Sequence, residues 1–254
     1  MPIAERPYFQ YEPRRRAPSA FDGFREAPVT TFLIVSNVAV YVIDWLLMKI
    51  GLFIIVGFPG GGRMAFSLLD FYGHFSASTA VYGLQLWRLL TFQFLHAGLP
   101  HLLMNMVGLY IFGPMVERHL GSWRFIRFYL ICGVGGAVAY LALFMKGILI
   151  GQPWQPLVGA SAGIFGILIA ASQMAPNAMV MMLFPPIPMR LRTLARVFIV
   201  IAIWSVLTGG RNAGGEAAHL GGAIIGFLLM QGERLTGDGV VARPRPRGYW
   251  DDEY

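Results

Sequence analysis

The chain has 254 residues, of which 56% are hydrophobic and only 13% charged. Soluble domains carry about a quarter charged residues, so this composition excludes an ordinary soluble domain. The net charge of +7 raises the question of a nucleic-acid partner, which the placement of the charges answers below, and a single cysteine, Cys132, excludes an internal disulfide.

Residues 1–28 are rich in proline and arginine and read as a flexible tail. They hold no apolar core of signal-peptide type, and Glu5, Glu12, Asp22 and Glu26 argue against an acid-poor transit peptide. Six apolar segments follow, at about 29–50, 93–117, 123–145, 159–175, 190–208 and 215–233. Several reach spanning length, about 17–25 residues. None alternates, so they are helices and not strands of a closed barrel. The 51–92 stretch is a long mixed loop with a Gly-rich turn at 59–62 and several aromatics, suited to the membrane interface. Pro176, Pro185, Pro186 and Pro188 break any helix between the fourth and fifth segments. Residues 234–254 form a second tail. The chain reads as an all-α polytopic membrane protein: tail 1–28, membrane domain 29–233, tail 234–254.

With six spans both tails share one side. That side then holds fifteen of the twenty basic residues, including Arg14, Arg15, Arg16, Arg118, Arg190 and Arg245. The positive-inside rule places it in the cytoplasm. This asymmetry accounts for the basic balance without nucleic acid, and some of these arginines meet anionic lipid headgroups. A prokaryotic plasma (inner) membrane is the expected location.

Three spans begin on the outer side with polar residues. The second opens "FLHAGLPHLLMN", with His96, His101 and Asn105; the fourth opens "GASAG" around Ser161; the sixth opens "GGEAAHLGGAIIG" around His219. Unpaired polar groups are costly in lipid, so such residues face the bundle interior and mark function. His101 and Asn105 are four apart and share a face. Gly159/Gly163 and Gly222/Gly226 are small-xxx-small pairs that let the fourth and sixth helices approach. That approach brings Ser161 within reach of His219. A serine hydroxyl needs a base to take its proton, and neutral imidazole is the usual one. Ser161 sits in a first helical turn, where free N–H groups and the helix dipole favour a developing anion. His101 and Asn105 add side-chain donors. Glu216 and Asp44 are not read as orienting partners of the histidine, so the pattern is a Ser–His dyad. His96 reads as structural, and a metal site from His96 and His101 lacks further ligands. Trp87-Arg88 reads as a loop anchor and Glu117 as a hydrogen bonder at the inner end of the second span.

Gly159-x-Ser161, Ala218-His219 with Gly222 and Gly226, His101-xxx-Asn105, Trp87-Arg88 and Glu117 together resemble the rhomboid intramembrane serine proteases over about residues 30–233. The resemblance implies a six-transmembrane-helix rhomboid-like bundle with a cavity open to the outside. It implies Ser161 as nucleophile and His219 as general base and acid. The oxyanion hole would be the Ser161 N–H, His101 and Asn105. It implies no metal or cofactor, and substrates that are transmembrane proteins, entering near the fifth helix under a mobile 209–215 cap. Two positions depart from the family pattern: Ala162 stands where many members have glycine, and Phe165 where many have tyrosine. The alternative reading is a catalytically silent rhomboid-like factor that binds membrane proteins; that kind typically lacks the serine or the histidine. A transporter would carry charges near the bilayer midplane, whereas the polar residues here cluster toward the outer ends.

Overall fold

The computed structural model describes residues 26–58, 61–149, 151–182 and 186–236; the two expected tails lie almost wholly outside the described residues. Among the described residues six helices have 14 residues or more: α1 (Pro28–Lys49), α2 (Leu99–Leu120), α3 (Ser122–Met145), α4 (Ser161–Met174), α5 (Leu191–Leu207) and α6 (Ala213–Thr236). Four of them, α1, α2, α3 and α6, are long and apolar enough to cross a membrane. Exposed Phe32, Val35, Trp204, Leu207 and Leu228 give the bundle an apolar outer surface, as lipid requires. The chain is a polytopic helical membrane protein.

α4 is the centre. Eight of its 14 residues are buried, and its small side chains let neighbours close in on every side. α6 lies against it along Gly222 and Gly226: a Cβ on either would collide with the backbone of Ala162 or Gly166. The matching stripe on α4 is therefore Ala162/Gly166. Gly163, expected to face α6, instead faces Tyr129 of α3, because one position along a helix is a rotation of about 100°. Gly159 precedes the helix altogether. Gly136 of α3 leaves room for the Ala162 methyl.

α4 is also short, about 21 Å at 1.5 Å per residue, against a hydrocarbon core of about 30 Å. The strand-like chain that leads into it is tied to the first loop. Phe75 and Leu157 exchange backbone hydrogen bonds of 3.1 and 2.7 Å, and Gly159 N–H donates to the Phe92 carbonyl at 2.9 Å. The second helix starts at Leu99, not near 93, because Phe92–Phe94 forms a separate 3₁₀ turn that serves as this anchor.

The long first loop is more ordered than its composition suggests. It contains an antiparallel hairpin, β1 (Phe53–Gly57) with β2 (Arg63–Ser67), paired from Phe53↔Ser67 to Gly57↔Arg63. A short helix, Leu68–Gly73, and a π-helical turn, Ser78–Tyr82, follow. Arg88, 2% exposed, staples them: its guanidinium donates to the carbonyls of His74 (2.6 Å) and Phe71 (2.7 Å) and to Gln85 Oε1 (2.6 Å). Trp87 Nε1 donates to the Tyr72 carbonyl at 3.0 Å. Both residues anchor the loop, as expected. The proline-rich 176–189 connection holds a second hairpin, β3 (Met179–Met181) with β4 (Pro188–Arg190).

At the other end of α2, the buried Glu117 carboxylate caps α1. It accepts from Val29 N–H (2.9 Å), Thr30 N–H (2.7 Å), Thr30 Oγ1 (2.8 Å) and Ser122 Oγ (2.7 Å). Asp44 meets the bundle differently, accepting from Ser67 Oγ at the end of β2.

Candidate active site

Ser161 is the first residue of α4, and its Oγ lies 2.7 Å from His219 Nε2. The close α4–α6 approach, with glycine where the backbones touch, makes this distance possible. The His219 ring stacks on Phe165, centroids 4.2 Å apart at 11°. Phe165 thus supplies an apolar face to the imidazole.

The N-terminus of α4 has alanine, Ala160, at its N-cap, and no side chain caps it. Alanine is about 1 kcal/mol worse there than serine or aspartate. The first-turn N–H donors are left for another acceptor. Gly159 just before has φ +129°, a left-handed conformation that favours glycine. A Cβ there would lie 2.8 Å from the His101 ring and 3.6 Å from Ser161 Oγ, so the imidazole and the hydroxyl converge on one spot. Asn105, one turn further along α2, is buried, and its Nδ2 has no hydrogen-bond partner among the described residues. Ser161, His219, His101 and Asn105 all line one cavity of about 670 Å³. The cavity extends between α2 and α5, past Gly108 and Ile111 on one side and Leu194 and Phe198 on the other.

His96 packs edge-on against His101, centroids 5.1 Å apart. It lies in the loop before α2, outside the residues that line the cavity. Burial, helped by the neighbouring His101, pushes its pKa down to about 4. The expected 209–215 loop is shorter than read: α6 begins at Ala213, and Gly214 packs against Tyr140.

Glu216 differs from the sequence expectation, which gives the histidine no orienting partner. Glu216 precedes His219 by three on the same helix. With α6 starting at Ala213 it is one turn inside, and its Oε2 lies 2.8 Å from His219 Nδ1. If Nδ1 carries the proton and donates it to this carboxylate, the Nε2 lone pair faces Ser161.

A sequence profile of the Rhomboid domain matches residues 83–232, which carry every one of these side chains. The chain belongs to the rhomboid family. It is 30% identical over 186 residues to "RHOMBOID-like protein 6, mitochondrial" of Arabidopsis thaliana, covering 73% of this chain and 53% of that one. It is 32% identical over 197 residues to "Rhomboid protease GluP" of Bacillus subtilis (strain 168), covering 77% of this chain and 35% of that one. "RHOMBOID-like protein 4" of A. thaliana is 32% identical over 182 residues, covering 72% and 40%. This rhomboid aligns with about half or less of the length of these relatives. Its six-helix membrane architecture is the polytopic helical fold of the family.

Proposed function

We propose that this rhomboid is an intramembrane serine endopeptidase that cuts transmembrane proteins within or beside their spanning segment. The observation that carries the reading is the 2.7 Å contact between Ser161 Oγ and His219 Nε2 in the cavity. In the proposed reaction Ser161 Oγ attacks the scissile carbonyl carbon while its proton passes to Nε2. The carbonyl π electrons move to oxygen. The Ser161 N–H, His101 and Asn105 stabilise that oxyanion. Collapse breaks the C–N bond, and His219 gives its proton to the leaving amine. Water, deprotonated by His219, then attacks the acyl carbon; the C–Oγ bond breaks, His219 returns the proton to Ser161 Oγ, and the carboxylic product leaves. Metal and cofactor have no part in this scheme. Substrate enters sideways from the bilayer, along the cavity between α2 and α5, and membrane lipids are its surroundings.

The test is labelling of the detergent-solubilised protein with a fluorophosphonate probe. Wild type labels; Ser161→Ala and His219→Ala, folded, do not. Asn105→Ala labels and cleaves more slowly, by about tenfold to a hundredfold, since one donor is lost from a site that keeps others. Cleavage of a transmembrane substrate by Ser161→Ala at the wild-type rate would sink the assignment. Wild type that neither labels nor cleaves any model transmembrane segment would favour the silent binding factor.

A further inference from the structure

Glu216 is the one carboxylate among the described residues paired with His219. Its Oε2 is 2.8 Å from Nδ1, and the two side chains are 19% and 15% exposed. We propose that Glu216 is a positioning residue of this site, making the dyad a Ser161–His219–Glu216 triad. The proposal rests on the reading of Ser161 as nucleophile and His219 as base.

The tautomer of His219, its charge and the restraint on Glu216 itself each favour this role. The first is tautomeric. A neutral imidazole offers one N–H and one lone pair. An ionised carboxylate only accepts, so Glu216 keeps the proton on Nδ1 and the lone pair on Nε2, where Ser161 is. A histidine with a solvated Nδ1 would exchange between both tautomers and spend part of its time unable to act as base.

The second is electrostatic. When Nε2 takes the Ser161 proton, the ring becomes a cation. The groups that face it are Ser161 and Phe165 from α4, His101 from α2 and Glu216 from α6, with Phe198 of α5 behind Phe165. Glu216 is the one anion among them. It compensates the imidazolium and takes no proton itself.

The third is that Glu216 is itself held. Its N–H donates to the Asn212 carbonyl at 2.9 Å, and Asn212 Nδ2 approaches Oε1 at 3.4 Å. One carboxylate oxygen is thereby occupied and the other stays on the histidine. Because Glu216 and His219 are three apart on one helix, the pair needs no further tertiary contact to meet.

An acidic residue near a helix start also interacts favourably with the helix dipole. Neither Glu216 oxygen, however, accepts from a first-turn N–H among the described hydrogen bonds.

The experiment uses the full-length protein in liposomes with a fluorogenic transmembrane peptide, and compares wild type, Ser161→Ala, Glu216→Gln, Glu216→Ala and Glu216→Asp. Fluorophosphonate labelling rate and melting temperature are read alongside. In Glu216→Gln kcat falls by about tenfold to a hundredfold, less than for a fully buried triad acid, because Glu216 is partly solvated. KM stays within about twofold, the labelling rate falls in parallel, and the melting temperature holds. Glu216→Ala falls at least as far, and Glu216→Asp recovers part of the loss. Wild-type kcat and labelling in Glu216→Gln and Glu216→Ala, with Ser161→Ala dead, would overturn the triad alone. A loss of activity that tracks a loss of folded protein, with unchanged kcat per labelled site, would assign Glu216 to the helix end and also overturn it. Undiminished cleavage by Ser161→Ala would instead remove the reading beneath it.

Discussion

At the scale of single residues, the site is made by small side chains as much as by polar ones. Ser161 meets His219 because glycine stands at 222 and 226 and the α4 backbone can come to them. Gly159 admits the His101 ring beside the hydroxyl. His96 carries a separate consequence. Its pKa is about 4 in the fold against 6.5 in a free chain. The folded state therefore binds fewer protons than the unfolded state between those values. The stability this neutral histidine contributes is fully present above pH 6.5 and is lost as pH falls toward 4, at most about 3 kcal/mol. We expect the melting temperature in detergent to fall more between pH 7 and pH 4.5 in wild type than in His96→Phe. Parallel pH profiles for the two would refute it.

At the scale of elements, the first helix owes its place to one carboxylate. Glu117 satisfies two N–H groups at the start of α1, a hydroxyl beside them and Ser122 at the start of α3. An uncapped helix end loses these bonds, and bonds to a charged group contribute about 1.5–3 kcal/mol each. Removing the charge also removes its desolvation cost, so the net effect is smaller than the sum. Glu117→Ala should destabilise the bundle by about 3 kcal/mol, seen as a lower melting temperature and easier proteolysis between α1 and α2. Equal stability of Glu117→Ala and wild type would show that α1 is held by its apolar face alone. α4 shows the same dependence on neighbours. Its N-terminus follows the Phe75–Leu157 bridge and the Gly159–Phe92 bond, which tie the preceding chain to the first loop.

At the scale of the whole molecule, charge placement and the position of Ser161 make one prediction together. If the basic loops are cytoplasmic, both termini are inside and the chain leading into α4 is outside. Cys132 is fully buried, so a cysteine placed elsewhere reports without background from it. In intact cells an impermeant maleimide should label Gln152→Cys and spare Ser19→Cys and Ala242→Cys until the membrane is opened. Labelling of Ser19→Cys from outside would reverse the orientation.

The amino-acid order alone determined the six apolar helices and the family, since both rest on local patterns: apolar runs of spanning length, and Gly-x-Ser, His-xxx-Asn and Ala-His motifs in sequence. It also marked Ser161, His219, His101 and Asn105, because a polar residue in an apolar run stands out against its neighbours. It could not say where α4 begins, which of its small residues meets α6, or that residues 53–57 and 63–67 pair. Those depend on contacts between segments distant in the chain. Glu216 marks the boundary between the two. Its spacing from His219 is written in the sequence, but its depth depends on where α6 starts. That start is set by the packing of Ala213 and Gly214 against the rest of the bundle.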